Sequence, residues 1–196
     1  MTNHTDYMLV KRILDVIEFD IIPLTEIGVS RGDKIFGGAI LRKDDLSVVI
    51  AETNRETQNP LFHGEISTLN AYFALDRAQR PEPHDCLFVS THEPCSLCLS
   101  AITWSGFDNF YYLFGYVDTR DTFDIPHDLK ILSEVFRIDN GNYARQNYYW
   151  QCRSIDELSA GEEHKFEEQR KRLDEAYNRL SSSYQASSHH DKIPLS

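Results

Sequence analysis

Two short motifs constrain this chain more than any other feature: His63-Gly64-Glu65, and, well downstream, Pro94-Cys95-Ser96-Leu97-Cys98. Each falls where the surrounding pattern predicts the start of a helix. From His63 to Ala78, apolar residues recur at Ile66, Leu69 and Tyr72/Phe73 with no proline. Pro94 opens a second helix that runs through Trp104, with Gly106 just past its end. A fold that lets the motifs act together must bring two helix starts to one place.

The residue types say what they would do there. Two thiolates and an imidazole are borderline-soft donors suited to a tetrahedral zinc ion, Zn2+, and three ligands leave a fourth position open. Cys95 and Cys98, three apart in a first helical turn, present both sulfurs from one face, and the positive end of the helix favours their thiolate forms. Glu65, two residues after His63, is placed to move the protons of a metal-activated water without being a ligand. That combination implies hydrolytic attack by a metal-activated water. Backbone N–H groups at the start of the Cys95 helix are candidates to support developing charge, and the Glu93 carbonyl is a candidate acceptor for the exocyclic amine. Two other readings stay open: a closed Cys3His structural site completed by Cys86 or Cys152, and a thioredoxin-like redox role for Cys95-Ser-Leu-Cys98.

Along the chain, Asp6 to Phe19 reads as an amphipathic helix that Pro23 should stop. Lys34 to Leu41 and Leu46 to Ala51 read as a hairpin, with a bulge expected at Gly37-Gly38. Cys86 to Ser90 is a short apolar strand, Asn109 to Tyr116 an aromatic-rich strand, and Pro126 starts a helix through Phe136. The alternation predicts an α/β fold of three α/β/α layers with a mixed central sheet. Residues 1–153 form the domain, 154–185 a long C-terminal helix and 186–196 a flexible tail. Phe166, Leu173, Tyr177, Leu180 and Tyr184 give that helix an apolar stripe, to be covered by its own domain or by a dimer partner.

At 196 residues and a formal net charge of −11, the chain suits small substrates better than a phosphate backbone, which needs Lys and Arg to displace counterions. No apolar run is long enough for a membrane span and the N-terminus is polar, so a cytoplasmic location is expected. Four cysteines, two of them in one C-x-x-C, are too few for a disulfide framework.

The motif pair is that of the zinc deaminases. The chain resembles the cytidine deaminase-like superfamily over roughly residues 8 to 137, within the branch that includes cytosine deaminase, guanine deaminase and the tRNA adenosine deaminases. His63-Gly-Glu-Ile-Ser-Thr-Leu69 is similar to the cytosine deaminase form of the metal helix. Glu93-Pro-Cys-Ser-Leu-Cys98, with Ala101-Ile102 and Trp104 behind it, looks more like guanine and tRNA deaminases. The resemblance implies a zinc-dependent hydrolytic deaminase with His63, Cys95 and Cys98 on the metal and Glu65 catalytic, acting on a small cytosine- or guanine-type nucleobase or nucleoside. It also implies substrate contacts from Asn54, Glu93, Trp104, Phe114 and Trp150, and a homodimer, since relatives assemble through the helices beside the metal. Tyr148-Tyr149-Trp150 resembles an aromatic cap over the substrate. A tRNA adenosine deaminase and a non-catalytic zinc-binding dimerisation module are the alternatives. The acidic run Asp118, Asp121, Asp124 argues against the first, and retention of Glu65 against the second.

Overall fold

The computed structural model describes residues 4–187 and 194–195. In chain order the elements are α1 (Asp6–Val16), α2 (Ile22–Ser30), β1 (Gly37–Arg42), β2 (Val48–Thr53), α3 (Gly64–Ala74), β3 (Cys86–His92), α4 (Ser96–Trp104), β4 (Asn109–Phe114), α5 (Tyr116–Asp121), α6 (His127–Phe136), β5 (Gln151–Ser154), α7 (Ile155–Leu158) and α8 (Glu167–Gln185).

Side chains alternate across a strand, and here both faces are apolar. On β3, Leu87 and Val89 enter one core while Cys86 and Phe88 enter a second. Ala39 and Leu41 oppose Ile40 on β1 in the same way. A sheet apolar on both faces needs a helical layer on each, as expected where strands run parallel. The first core is closed by α1, α2, α7 and α8, the second by α3 and α4. The sheet order is β2-β1-β3-β4-β5. β1 pairs antiparallel with β2 and β3, and β4 pairs parallel with β3 and β5. This is the mixed-sheet α/β/α architecture expected from the pattern. Among the described residues no helix is long and apolar enough to cross a membrane.

Several local expectations need correction. Pro23 does not end the first helix: Ile17–Ile21 form one π-helical turn, and α2 restarts at Ile22 with Pro23 in its first turn, where a missing N–H breaks no hydrogen bond. The helix expected through Ala78 ends at Ala74, because Leu75 turns extended. The register shift of the hairpin lies at Ile40/Leu41 rather than at Gly37-Gly38. Those glycines admit close neighbours instead, since a Cβ on Gly37 would stand 2.4 Å from Ile21 Cγ2 and one on Gly38 2.9 Å from Thr68 Oγ1.

The boundary near residue 154 is redrawn as well. Gln151–Ser154 is a fifth strand of the sheet, and Cys152 is buried within it. The long helix begins at Glu167, not 154: Ser154 caps the short α7 through a reciprocal pair with Glu157, and Gly161 at φ +83° breaks the backbone after it. α8 lays Leu173, Tyr177, Leu180 and Tyr184 into the first core of its own domain. Buried side chains of this size contribute roughly 1.5–3 kcal/mol each, more than the partly exposed ion pair of Arg172 on the same helix with Glu18. Most of the 186–196 tail lies outside the described residues.

Candidate active site

His63 caps the start of α3 and Cys95 the start of α4, both with extended backbone, and Cys98 follows in the first turn of α4. The start of α3 sits hard on β1. A Cβ on Gly64 would stand 2.7 Å from Gly37 Cα and 2.8 Å from Gly37 N, so only a glycine between His63 and Glu65 permits this approach. β3 ends at His92 and delivers Glu93, Pro94 and Cys95 to the same edge.

His63 Nδ1 lies 3.3 Å from Cys95 Sγ and 3.7 Å from Cys98 Sγ, and the two sulfurs are 3.6 Å apart. Bonds of ordinary zinc length at tetrahedral angles put sulfurs about 3.8 Å apart and sulfur and nitrogen about 3.6 Å apart. The three donors therefore already occupy the corners such an ion requires. Neither Cys86 nor Cys152 joins this group; both are buried among the apolar residues of the second core, which argues against a closed four-ligand site. All four cysteines are free thiols.

The protons in this cluster are shared. Hydrogen bonding with Cys98, and then with His63, holds the Cys95 thiol well below its usual range against the opposing effect of burial. Burial first, then the charge of Cys95, pushes Cys98 up. Burial alone would lower His63, but its hydrogen bond to Cys95 and the charges of Cys95, Glu56 and Glu65 outweigh that and push it up to about 9. A metal ion displaces protons from such a set on binding.

Glu65 is buried beside the donors. Its Oε1 accepts from Ser90 Oγ at 2.8 Å, and its Oε2 lies 3.2 Å from Cys98 Sγ, which donates to it. Burial raises its proton affinity, and the Cys95 charge adds to the effect. Ser90 thus fixes one oxygen and leaves the other facing the three-donor group.

A cavity of about 230 Å3 opens beside the group, lined by Lys34, Phe36, Glu56, His63, Cys95 and Asp128 among others. Three of these charged residues are absent from the sequence-based assignment. Glu56 stands 3.4 Å from His63 Nε2 and accepts from Lys34 Nζ at 3.3 Å. Asp128 is held well above the usual carboxyl range by burial and then by the Cys95 charge. In the sequence, all three look like ordinary loop or helix-start charges.

The expected substrate contacts divide. Asn54 is fully buried next to this cluster: its Nδ2 donates to Glu56 Oε2 at 2.8 Å, and its Oδ1 finds no partner among the described residues. The Glu93 carboxylate is spent elsewhere, accepting from Tyr143, Arg145 and the Tyr116 backbone N–H, which anchors the Glu93-Pro94-Cys95 turn. Three aromatics are not brought to the cavity. Trp104 is 90% exposed at the far end of α4. Trp150 packs on Phe110 and donates from Nε1 to Thr103, about 12 Å along α4 from Cys95 at the helical rise per residue. Phe114 lies in the first core against His92, Phe123 and Tyr177. Tyr148 and Tyr149 are exposed.

Residues 29–114 match the family model described as the cytidine and deoxycytidylate deaminase zinc-binding region. The guanine deaminase of Bacillus subtilis (strain 168) is 27% identical over 85 residues, covering 43% of this chain and 53% of that protein. The match thus spans about half the length of that relative. A solved guanine deaminase from Nitrosomonas europaea superposes with a TM-score of 0.52 at 18% identity, over 85% of this chain and 81% of that one. A solved structure in complex with 2,6-diaminopurine superposes with a TM-score of 0.51 at 19% identity, over 86% and 79%. The family-model match agrees with the cytidine deaminase-like resemblance, the solved structures agree with the fold it implies, and a His/Cys/Cys group that could hold a metal lies within the matched region.

Proposed function

We propose that this chain, which carries a deaminase zinc-binding region on a cytidine deaminase-like fold, is a zinc-dependent hydrolytic deaminase of a small nucleobase or nucleoside. The observation that carries this reading is Glu65: a buried carboxylate held by Ser90 and aimed at a tetrahedral three-donor group, yet not one of its donors. A purely structural metal site has no use for it.

His63, Cys95 and Cys98 are the residues that would hold zinc, and the ion would supply Lewis-acid activation of a water beside them. Glu65 takes the water's proton through Oε2 while Ser90 keeps the carboxylate from rotating away. It would pass that proton to the ring nitrogen, then take the second from the newly added hydroxyl and pass it to the exocyclic amine. The carbon–oxygen bond forms, the carbon–nitrogen bond breaks, and ammonia leaves as the ring gains a carbonyl. Burial, which raises the proton affinity of Glu65, suits a group that must hold a proton between those two transfers.

The cavity volume supports a small substrate. At about 230 Å3 it lies below the roughly 300–1,000 Å3 of sites for drug-sized ligands, and so suits a single ring system. The relatives point the same way: one is named a guanine deaminase, and another was solved with a purine base. Asn54, with its unpaired Oδ1, and the Glu93 main-chain carbonyl are the substrate contacts carried over from the sequence, and Asp128 joins them as a polar wall. A homodimer in the cytoplasm completes the reading.

The test is ammonia release from cytosine, isocytosine, guanine, cytidine, deoxycytidine and adenosine by the zinc-loaded protein, beside Glu65→Ala. Turnover of one compound, lost in the variant with its zinc retained, is the expected result. Full zinc occupancy with silence on every compound would overturn the small-substrate reading.

A further inference from the structure

Lys34 is a buried charge that the chemistry above leaves without a task. Its side chain is 7% exposed, and its ammonium lies 3.3 Å from Glu56 Oε1. The same oxygen stands 3.4 Å from His63 Nε2, so the ammonium and the outer edge of the imidazole meet on one carboxylate atom. An ammonium has three N–H donors, and a carboxylate neutralises its charge without occupying them all. A second donor goes to the main-chain carbonyl of Leu195 at 2.5 Å, contributed from far along the chain. Pro194 and Leu195 line the same cavity as Lys34, His63, Cys95 and Asp128. The acceptor that Lys34 uses is therefore inside the site, and it belongs to neither a helix nor a strand.

A ligand that fills this cavity must either leave that carbonyl in place or supply an oxygen where it was, because Glu56 then satisfies only part of the ammonium and a buried N–H donor left without an acceptor is unfavourable. We propose that Lys34 is a specificity-determining residue that donates to a ring carbonyl of the substrate, with the Leu195 carbonyl standing in that position until the substrate displaces it. The inference rests on the deaminase reading and sharpens it. The favoured substrates are amino-substituted rings that also carry a carbonyl, such as guanine or cytosine. A ring with a second amine in place of the carbonyl turns N–H donors toward an N–H donor and is disfavoured. Asp128, on the same cavity, supplies the complementary acceptor for ring or amine N–H groups.

The experiment compares kcat/KM within two pairs of bases that differ in this substituent and in the ring N–H that accompanies the carbonyl: guanine with 2,6-diaminopurine, and cytosine with 2,4-diaminopyrimidine. It uses the zinc-loaded wild type, Lys34→Met and Lys34→Arg, with calorimetric binding of 8-azaguanine and cytosine as a second readout. The wild type should prefer the carbonyl-bearing member by roughly ten- to a hundred-fold, the range for a hydrogen bond to a charged group. Lys34→Met should bring the ratio near unity, chiefly through KM, and Lys34→Arg should retain most of it. A general loss of folding depresses both members alike and leaves the ratio unmoved. Turnover with a ratio unchanged in Lys34→Met overturns the Lys34 assignment and leaves the deaminase standing. Binding of a carbonyl-bearing base, weakened tenfold or more in Lys34→Met but without ammonia release, keeps the Lys34 contact and overturns the deaminase. Neither turnover nor binding of either base overturns both.

Discussion

His92 should make the stability of this protein fall steeply in acid, and the size of the effect can be worked from its surroundings. The ring is packed against Phe36, Phe114, Phe123 and Tyr177, with centroids 4.7 to 5.3 Å away. Nδ1 lies 3.0 Å from Thr91 Oγ1, and Nε2 has no partner among the described residues. Burial with no compensating charge lowers the pKa from 6.5 to about 3. A base whose folded pKa is depressed binds fewer protons folded than unfolded throughout that interval. Stability from this residue is therefore whole above pH 6.5 and is lost as pH falls toward 3. The slope is about 1.4 kcal/mol per pH unit, with a ceiling of about 5 kcal/mol over the whole interval. Urea unfolding of the wild type and His92→Gln at about pH 5.5 and about pH 4 isolates the effect, because acidic groups common to both cancel in the difference. The gap between the two proteins should narrow by about 2 kcal/mol over that range. An unchanged gap would refute a neutral, water-excluded His92. Since His92 ends the strand that delivers Cys95, the same acid transition should release bound metal.

Other outcomes follow from the site. Glu65→Gln should keep zinc and fold while kcat falls by roughly 10²- to 10⁴-fold, the range for general acid–base catalysis; retained kcat would remove Glu65 from the chemistry. Cys98→Ala and His63→Ala should lose stoichiometric zinc in elemental analysis, whereas Cys86→Ala and Cys152→Ala should keep it, and a reversed pattern would relocate the metal. Gly64→Ala should destabilise the protein by about 1–3 kcal/mol, as overpacking does, and weaken zinc binding, because its Cβ meets the Gly37 backbone, which cannot swing aside; an unchanged Tm would disprove that contact. A chelator should lower the Tm of the wild type by more than that of Cys98→Ala, since an ion bound only by the folded state adds to its stability.

What could be read in the sequence was local. The helix starts near His63 and Cys95, the helix through Trp104 and the apolar alternation of Cys86 to Ser90 all depend on neighbours a few residues away, and period and helix-boundary residues report such neighbours. Gln151–Ser154 escaped notice because it is four residues long and becomes a strand only by pairing with β4. Pro23 misled for a related reason: whether a proline ends a helix depends on where the first turn falls, and the π turn at Ile17–Ile21 moved it.

The candidate site divides along the same line. By itself the sequence determined the donor set and the carboxylate beside it, because ligand type and spacing within one helical turn are properties of the chain. Which aromatics reach the cavity was settled only in three dimensions: Trp104 and Trp150 lie toward the wrong end of α4, and Phe114 turns into the core. Lys34, Glu56 and Asp128 are likewise polar wall residues only because the segment before β1, the loop after β2 and the start of α6 meet beside the starts of α3 and α4. Convergence of distant segments is set by how both faces of the sheet bury their apolar side chains, and no local pattern of charges records it.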